Sequence, residues 1–332
     1  MGSTRPPRAS TGRRHLLLAA AVAAVCLPAG AIAQPAAWPA KQVRLVVPYG
    51  AGGGVDRSAR IVAQRLGVAL RQPFVVENKP GANTALAAET VAKAEPDGYT
   101  LLVTAPAILT VNPNLYPSLP YKVEDLEPVA MVGRIPLFVI TSAESGAKSM
   151  RELVDKARSR DINYASAGTG SMTHLGAEQL KAQLGLQLTH VPFKGSATMV
   201  PDVAAGRVDF ALSDLAPIKG LVDAGKVRIL ATTAAARSAL LPSAPSMADS
   251  GVQGVDIATW LGIAVPKNTP APVVERLAAE VMKVLEDPSV KAELLAAGVE
   301  ATPEDGAALR KRMQDERDRW RTVIRAGNIR PE

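Results

Sequence analysis

Two glycine-rich loops of this sequence have residue types that can hold a small anion. Each follows a short apolar run and precedes a segment with helical spacing. Glycine lets a ligand approach the backbone closely, and a helix start offers unpaired N–H groups and positive dipole character. Both loops therefore suit a carboxylate above all. The candidates are Tyr49, Gly50, Ala51, Gly52, Gly53 and Asp56 in the first loop, and Ser166, Gly168, Thr169, Gly170, Ser171 and His174 in the second.

The spacing of the first loop excludes two nucleotide-binding motifs. No Gly-Lys-Ser/Thr follows it, as a P-loop requires, and its last glycine is residue 54 rather than 55, where Gly-x-Gly-x-x-Gly needs one. A tight strand-to-helix turn without a ligand explains the loop equally well. We interpret Asp56 as the N-cap of the following helix. The alternative is that Asp56 faces the ligand, which would require a water, hydroxyl or ammonium between the two negative charges.

The second loop adds hydroxyl and imidazole groups to the same design. Ser171 is a predicted N-cap, and His174 lies about one turn into the helix, where its ring can reach back to the loop. A ligand contact and a purely structural role are both open for His174, whereas His190 is predicted to be structural. No Gly-x-Ser-x-Gly elbow surrounds Ser171 and no acid is spaced to orient His174, which argues against a hydrolase.

The elements around these loops alternate between strand and helix. Strands are predicted over 43–48, 74–76 and 100–104. A second series of alternating strands and helices begins with a strand over 162–166, which leads into the second loop. Such alternation indicates an α/β fold with mostly parallel sheets, here in two similar lobes. From residue 273 onward the chain is predicted to be helical, over 273–285, 290–297 and 306–326.

The length and amino-acid composition of the chain exclude several classes of protein. A chain of 332 residues suggests about two domains, and 47% apolar against 21% charged residues is typical of a folded core rather than a disordered chain. One cysteine excludes a disulfide framework, and with three histidines it argues against the common zinc sites. We expect no metal and no cofactor.

The N-terminal 33 residues have the pattern of a cleavable secretory signal peptide. A basic segment ends at Arg13-Arg14, the apolar run 16–27 is too short to span a bilayer, and a small-x-small site ends at Ala33. The arginine pair also fits a loose twin-arginine signal, and an uncleaved anchor helix is the alternative. We expect a soluble mature protein in the periplasm. Arginines in this segment account for four of the seven net positive charges, so the remainder does not suggest a nucleic-acid partner.

Several sequence blocks, in order along the chain, resemble the Bug-type substrate-binding proteins of tripartite tricarboxylate transporters. Together they cover essentially all of the mature chain. The blocks are Arg44-Leu45-Val46-Val47-Pro48, Val76-Glu77-Asn78-Lys79-Pro80-Gly81-Ala82, Pro96-Asp97-Gly98-Tyr99-Thr100, Asn112-Pro113-Asn114-Leu115-Tyr116, Tyr164-Ala165-Ser166-Ala167-Gly168-Thr169-Gly170-Ser171, His190-Val191-Pro192-Phe193-Lys194-Gly195, Trp260-Leu261-Gly262 and Pro266-Lys267-Asn268-Thr269-Pro270.

The resemblance implies an α/β two-lobed periplasmic binding protein of type II, the Venus-flytrap architecture, with its cleft between two mostly parallel sheets. Lobe one would comprise 34–135 and 258–332, and lobe two 136–257. The resemblance also implies that both glycine loops grip a ligand carboxylate, partly through ordered waters and without an obligatory arginine. The implied partners are a small carboxylate ligand and the membrane subunits of a tripartite transporter, and the implied state is a monomer.

Two departures from the family pattern bear on the ligand. The third loop has Ala105-Pro106-Ala107 where a polar Thr-Asn-Gly is usual, and Ser213 precedes Asp214 at the wall expected to contact the distal end of ligands. These changes argue against a citrate-like polyanion, and the role of Lys194 stays open. We expect a solute receptor for transport, and the alternative is an enzyme or a sensory receptor on the same scaffold acting on a small carboxylate.

Overall fold

A computed structural model describes residues 1–4 and 38–331 of the chain. The predicted signal-peptide features, from Arg13-Arg14 to the cleavage site after Ala33, lie outside the described residues. The chain divides into two compact units, Met1–Trp38 and Pro39–Glu332. All described strands and helices belong to the second unit.

Eleven strands occur among the described residues. In chain order they are β1 (Val43–Val47), β2 (Phe74–Asn78), β3 (Thr100–Thr104), β4 (Leu126–Pro136), β5 (Phe138–Ser142), β6 (Ile162–Ser166), β7 (Leu188–Pro192), β8 (Phe210–Ser213), β9 (Val227–Thr232), β10 (Ala258–Pro266) and β11 (Glu300–Asp305).

Ten α-helices accompany these strands in the described part of the chain, and a π-helical turn, Ala107–Val111, precedes the third. The helices are α1 (Gly54–Leu70), α2 (Ala85–Ala92), α3 (Asn112–Leu115), α4 (Met150–Ser159), α5 (Met172–Leu184), α6 (Ser196–Ala204), α7 (Leu215–Asp223), α8 (Ala271–Glu286), α9 (Pro288–Ala296) and α10 (Gly306–Ala326).

The strands form two separate sheets, and we call each sheet with its helices a lobe. The first lobe has the six-stranded order β11-β4-β10-β3-β1-β2, and the second has the five-stranded order β7-β6-β8-β5-β9. In the first lobe β1 pairs in parallel with β2 and β3, and in the second β6 pairs in parallel with β7 and β8. β1 and β6 each lie second from the edge of their sheet, between two parallel neighbours, so their carboxyl ends carry the two glycine loops at equivalent places.

The remaining strand pairs are antiparallel, which the simple alternation of strand and helix does not predict. β10 runs antiparallel to β3 and β4, and β5 runs antiparallel to β8 and β9. Both sheets are therefore mixed. The three helices predicted over 273–285, 290–297 and 306–326 are present as α8, α9 and α10, but β11, which lies between α9 and α10 and pairs with β4, was not predicted. Its sequence EATPED has no apolar alternation, so only its partner strand identifies it.

The chain passes between the lobes at two adjacent points. Leu137 alone separates β4 from β5, and Ile257 directly precedes β10. The buried Thr233 ties these points together, since its Oγ1 lies 3.1 Å from the Leu137 carbonyl oxygen and 2.5 Å from that of Ile257. Shared hydrogen bonding at both crossings makes this the segment about which the lobes are joined.

The C-terminal helix connects the lobes a third time. Its side chains Trp320, Val323 and Ile324 belong to the same buried cluster as Tyr164 and Phe210 of the second sheet. The predicted division assigns all of 258–332 to lobe one. The last turns of α10 also carry apolar side chains onto α5, so this helix contacts both lobes, and the division stays a prediction.

Candidate functional site

A cavity of about 510 Å³ lies between the two lobes. Both glycine loops reach it, as do the crossing segment and the start of α7. Of the predicted site residues, those that line it are Tyr49, Gly53, Gly170, Ser171 and Asp214. The cleft cavity is therefore bounded by residues from both lobes, and neither lobe alone could enclose a ligand there.

Asp56 stabilises the first loop by accepting hydrogen bonds, and we call this network the first brace. Helix α1 begins at Gly54, with Gly53 as its N-cap and no side-chain cap, so the interpretation of Asp56 as the N-cap is wrong. Its carboxylate is 2% exposed and accepts hydrogen bonds from the Gly52 amide at 2.8 Å and from Asn78 Nδ2 at 2.8 Å. Arg60, one turn along the helix, donates through Nε at 3.1 Å. The carboxylate is thus directed at its own loop.

The electrostatics of this brace favour an ionised carboxylate. Burial alone would raise the pKa of Asp56, but the hydrogen bonds from Arg60, Gly52 and Asn78 and the charge of Arg60 outweigh it and lower the pKa. Asp56 is therefore charged at neutral pH, and its carboxylate oxygens already accept hydrogen bonds from within the protein. Beside it, burial raises the pKa of Tyr49 to about 12, so this phenol faces the cleft cavity in its neutral form.

The second loop is held by hydroxyl groups. Ser171 is the N-cap of α5, as predicted, and its Oγ accepts from the His174 amide at 3.3 Å. The same Oγ lies 2.8 Å from Thr173 Oγ1, which accepts from the Ala167 amide at 2.9 Å. Gly170 has a φ of +76°, and a Cβ there would lie 2.3 Å from Leu115 Cδ2, so both conformation and space demand glycine.

Two stacked histidines complete the second brace. The His174 ring reaches back to the loop, as predicted, and its Nδ1 accepts from the Gly170 amide at 3.1 Å. The rings of His174 and His190 stack with centroids 3.8 Å apart and an interplanar angle of 9°, and His190 Nε2 lies 2.7 Å from Ser166 Oγ. Burial above all, then the charges of His190 and Lys181, lowers the pKa of His174 to about 3. The ring is neutral, which its acceptor role requires.

These braces occupy two amides that a ligand was expected to use. The Gly52 and Gly170 N–H groups donate to Asp56 and His174 respectively. Helix starts leave further N–H groups without intrahelical partners, and Gly54, Val55, Met172 and Thr173 at the starts of α1 and α5 all line the cleft cavity. The amides available to an anion are therefore those that follow each glycine loop.

The remaining predicted residues do not line the cleft cavity. Gly50, Ala51 and Gly52 are exposed, whereas Ser166 and Ser213 are fully buried. Gly168 accepts the Ser171 amide at 3.1 Å through its carbonyl, and the buried Ala105 similarly accepts the Ile108 amide at 3.0 Å. Thr169 is half-buried in its loop. These residues shape the loops, and a direct ligand contact from them stays a prediction.

Comparison with known proteins decides the family. The model described as "Tripartite tricarboxylate transporter family receptor" matches residues 58–329. This chain belongs to that family. Protein BugT of Bordetella pertussis is 33% identical over 315 residues, which cover 92% of this receptor and 96% of BugT. The receptors of this family are periplasmic binding proteins.

Two solved structures of this type carry ligands. R. palustris Rpa4515 with adipate matches this receptor with a TM-score of 0.78 and 34% identity, over 89% of this chain and 100% of that one. MatC from Rhodopseudomonas palustris with bound malate matches with a TM-score of 0.72 and 29% identity, over 86% and 100% of the two chains. The resemblance seen in the sequence and the two-lobed periplasmic-binding-protein fold are thus confirmed.

Most residues that line the cleft cavity of the receptor were not among the predicted site residues. The missed wall is largely apolar and comes from the crossing segment, the π-helical turn and the helix starts. Local motifs do not mark such positions, because an apolar residue beside a cleft has the same pattern as one in the core. The missed residues are Gly54, Val55, Asn83, Ala107, Val111, Ile135, Leu137, Ala167, Met172, Thr173, Gly195, Ser196 and Thr259.

Asn83 is the missed polar residue with a detectable signal. It has a φ of 46°, between Ala82 at 47° and Thr84 at 73°, so three consecutive non-glycine residues adopt left-handed backbone. Asn83 Nδ2 donates to Asn112 Oδ1 at 2.9 Å, and Asn112 Nδ2 returns a bond to the Asn83 carbonyl at 2.8 Å. Asparagine tolerates this conformation better than most residues, and its place after Pro80-Gly81 marks a turn.

A second cavity, of about 440 Å³, lies beside β10 and α10 but offers no free cation among its described residues. Arg134 pairs with Asp256 at 2.5 Å, and Arg312 pairs with Glu304. The buried Glu316 accepts from Trp260 Nε1 at 3.0 Å. These charges are neutralised within the protein, so the cleft cavity is the better candidate for an anionic solute.

Two features are absent from the part of the receptor that the structure describes. No group of three or more His, Cys, Asp or Glu side chains is arranged to hold a metal ion there. Across residues 1–4 and 38–331, no helix combines the length and apolar character that a membrane crossing needs.

Proposed function

We propose that this receptor binds a small carboxylate-bearing metabolite in the cleft cavity and delivers it to the membrane subunits of a tripartite transporter. One observation carries the proposal: α1 and α5, from opposite lobes, both begin at this cavity. Their unpaired N–H groups and positive dipole ends are complementary to a carboxylate. The adipate of Rpa4515 and the malate of MatC support this ligand class.

The proposed contacts divide into two kinds. The hydroxyl of Tyr49 and of Ser171 would contact the ligand directly, together with the amides that follow Gly53 and Gly170. The other predicted residues would act by keeping the loops in place. Such a site needs no essential arginine or lysine, because the charge is balanced by helix ends and hydrogen bonds.

Ligand binding would draw the two lobes together. We assign 34–135 and 258–332 to lobe one and 136–257 to lobe two, with the crossing at Leu137 and Ile257 as the joint. A ligand held from both sides interacts best with the closed arrangement, so it shifts the equilibrium toward closure. The membrane subunits would then bind the closed, ligand-bound form of the receptor. A monomeric receptor is sufficient for this.

We also propose export to the periplasm with cleavage after Ala33. N-terminal sequencing of the protein from a periplasmic extract would then begin at Gln34. Retention of Met1 in a membrane fraction would contradict this. A twin-arginine route predicts that export fails when Arg13 and Arg14 are replaced by lysine, whereas the general secretory route predicts that export continues.

The central experiment identifies the solute. Ligand released from purified protein is analysed by mass spectrometry, and calorimetry then measures the affinity of carboxylates of that class. Small-angle scattering with and without the tightest ligand should show compaction. A receptor returns the ligand unchanged, so the appearance of a product during incubation would favour an enzyme and contradict the proposal.

A further inference from the structure

Asp214 is the one charged residue lining the cleft cavity within residues 38–331. It is the N-cap of α7, yet its side chain makes no capping hydrogen bond to that helix. An aspartate at this position normally turns its carboxylate onto the first amides of its helix. Asp214 is half-buried and lines the cavity, so its carboxylate is available to a ligand.

No cation of the described chain neutralises this carboxylate. No lysine, arginine or histidine of residues 38–331 lies within ion-pair distance of Asp214, although most other partly buried acids have such a partner. The hydroxyl of Ser213 and the Asp214 backbone are its nearby polar groups, and burial outweighs them and raises the pKa of Asp214. Lys194, whose role the sequence left open, is exposed and does not line the cavity.

The charges around the cavity do not suit a dianion. The starts of α1 and α5 each present about half a positive charge, which is enough for one ligand carboxylate. Gly195 and Ser196 bring the start of α6 to the cavity as well, but no lysine, arginine or histidine is among the described lining residues. A second ligand carboxylate would therefore find no full positive charge there and would face the field of Asp214. A ligand that carries one positive group balances Asp214 instead.

Resting on the proposed function, we infer that the solute is an amino carboxylate: its carboxylate lies at the starts of α1 and α5, and its ammonium pairs with Asp214. The wall between these poles includes Val111, Ile135 and Leu137, which offer an apolar surface to the carbon chain of the ligand. Asp214 is then the residue that determines specificity, by accepting hydrogen bonds from the ammonium in a partly desolvated site.

The test compares two ligand series of increasing length by calorimetry. One series runs from glycine to an aminohexanoate, and the other contains dicarboxylates of matched chain length. The intact receptor should bind its best amino carboxylate at least about tenfold more tightly than the matched dicarboxylate. Asp214→Asn should weaken that amino carboxylate by about 10- to 100-fold and leave its dicarboxylate affinity unchanged or stronger, since a charge-assisted bond is lost and a repulsion removed.

Matched variants separate the charge effect from folding. Asp223→Asn, at the exposed end of the same helix, should bind as the unaltered receptor does. Asp214→Ser keeps a residue favoured at an N-cap and should show the same loss as Asp214→Asn. Dicarboxylates binding more tightly than amino carboxylates, with Asp214→Asn having no effect, would overturn the inference but leave the proposed function intact. A native ligand without any carboxylate would overturn both.

Discussion

The two glycine loops hold the same position in their lobes but are braced by different chemistry. Both connect a strand with two parallel neighbours to a helix that starts at the cleft. The first is held by charge, because the Asp56 carboxylate accepts from the Gly52 amide, Asn78 and Arg60. The second is held by hydroxyl groups and by the neutral ring of His174, whose Nδ1 accepts from the Gly170 amide and which stacks on His190.

Two loops in equivalent positions are therefore stabilised through opposite protonation requirements. Asp56 must be ionised to accept three donors, whereas His174 must be unprotonated at Nδ1 to accept one. The loops also differ in the space around their glycines. A Cβ at Gly52 would meet nothing within 4 Å, whereas a Cβ at Gly170 would collide with Leu115. The second loop is therefore the more sensitive to sequence change and to mild acid.

The largest effect is expected from Gly170→Val. A β-branched residue at a φ of +76° is strained by about 1–3 kcal/mol, and its contact with Leu115 adds about 1–3 kcal/mol of overpacking. Urea unfolding should show the summed loss, and calorimetry should show no measurable ligand binding. The matched control is Gly52→Val, with a φ of +86° and open space around its Cβ. Equal losses in the two variants would contradict the difference in packing.

The next effect is expected from Asp56→Ala, which removes the charged brace. The Gly52 amide and Asn78 lose their acceptor, at about 1–3 kcal/mol of unfolding free energy, and ligand affinity falls as the first loop loosens. Asp223→Ala is the control, because its i,i+4 pair with Lys219 has both side chains more than 60% exposed. Such a pair contributes less than about 1 kcal/mol. A comparable loss in the control would show that the Asp56 network adds nothing beyond an ordinary surface pair.

Mild acid should destabilise the second brace before the first. The pKa of His174 is about 3 in the fold against an ordinary 6.5, so the unfolded chain takes up the proton first and stability falls as pH drops below 6.5. The free energy of unfolding should fall by at most about 1.4 kcal/mol per pH unit from this group. The stability contributed by Asp56, whose pKa is lowered from 3.8, is lost only below that value.

Urea unfolding at pH 7 and pH 5 measures this dependence. His174→Gln supplies an amide oxygen in place of Nδ1 and should reduce the loss between the two pH values. An unchanged pH dependence in this variant would mean that His174 is not the titrating group.

The smallest effect is expected from Ser171→Ala, which removes the N-cap of α5 at about 0.5–2 kcal/mol. Ser149→Ala is a matched control, because Ser149 caps α4 in the same way and does not line the cleft cavity. Both variants should lose similar stability in urea, but only Ser171→Ala should weaken ligand binding. Equal ligand affinity for the two variants would contradict a role for the Ser171 hydroxyl in the site.

Local sequence patterns were sufficient to predict most separate elements and the two glycine loops. Local sequence patterns located Thr100–Thr104, Ile162–Ser166 and Gly306–Ala326 to the residue, because each is bounded by local turn or capping residues. The glycines of both loops, and Ser171 as an N-cap, were also readable locally. Such features depend on interactions between residues a few positions apart, which one segment of sequence contains in full.

The role of each loop residue and the enclosure of the cleft cavity depend on contacts between elements that are distant in sequence. Asp56 takes its role from Asn78, and His174 from His190, both on other elements. The segment Glu300–Asp305 forms the strand β11 because it pairs with β4. The wall at Leu137 arises where the chain changes lobes. These roles depend on residues distant in sequence, so spacing and composition do not encode them in any one segment. The physical reason is that a hydrogen bond or a cavity is a property of atoms brought together in space.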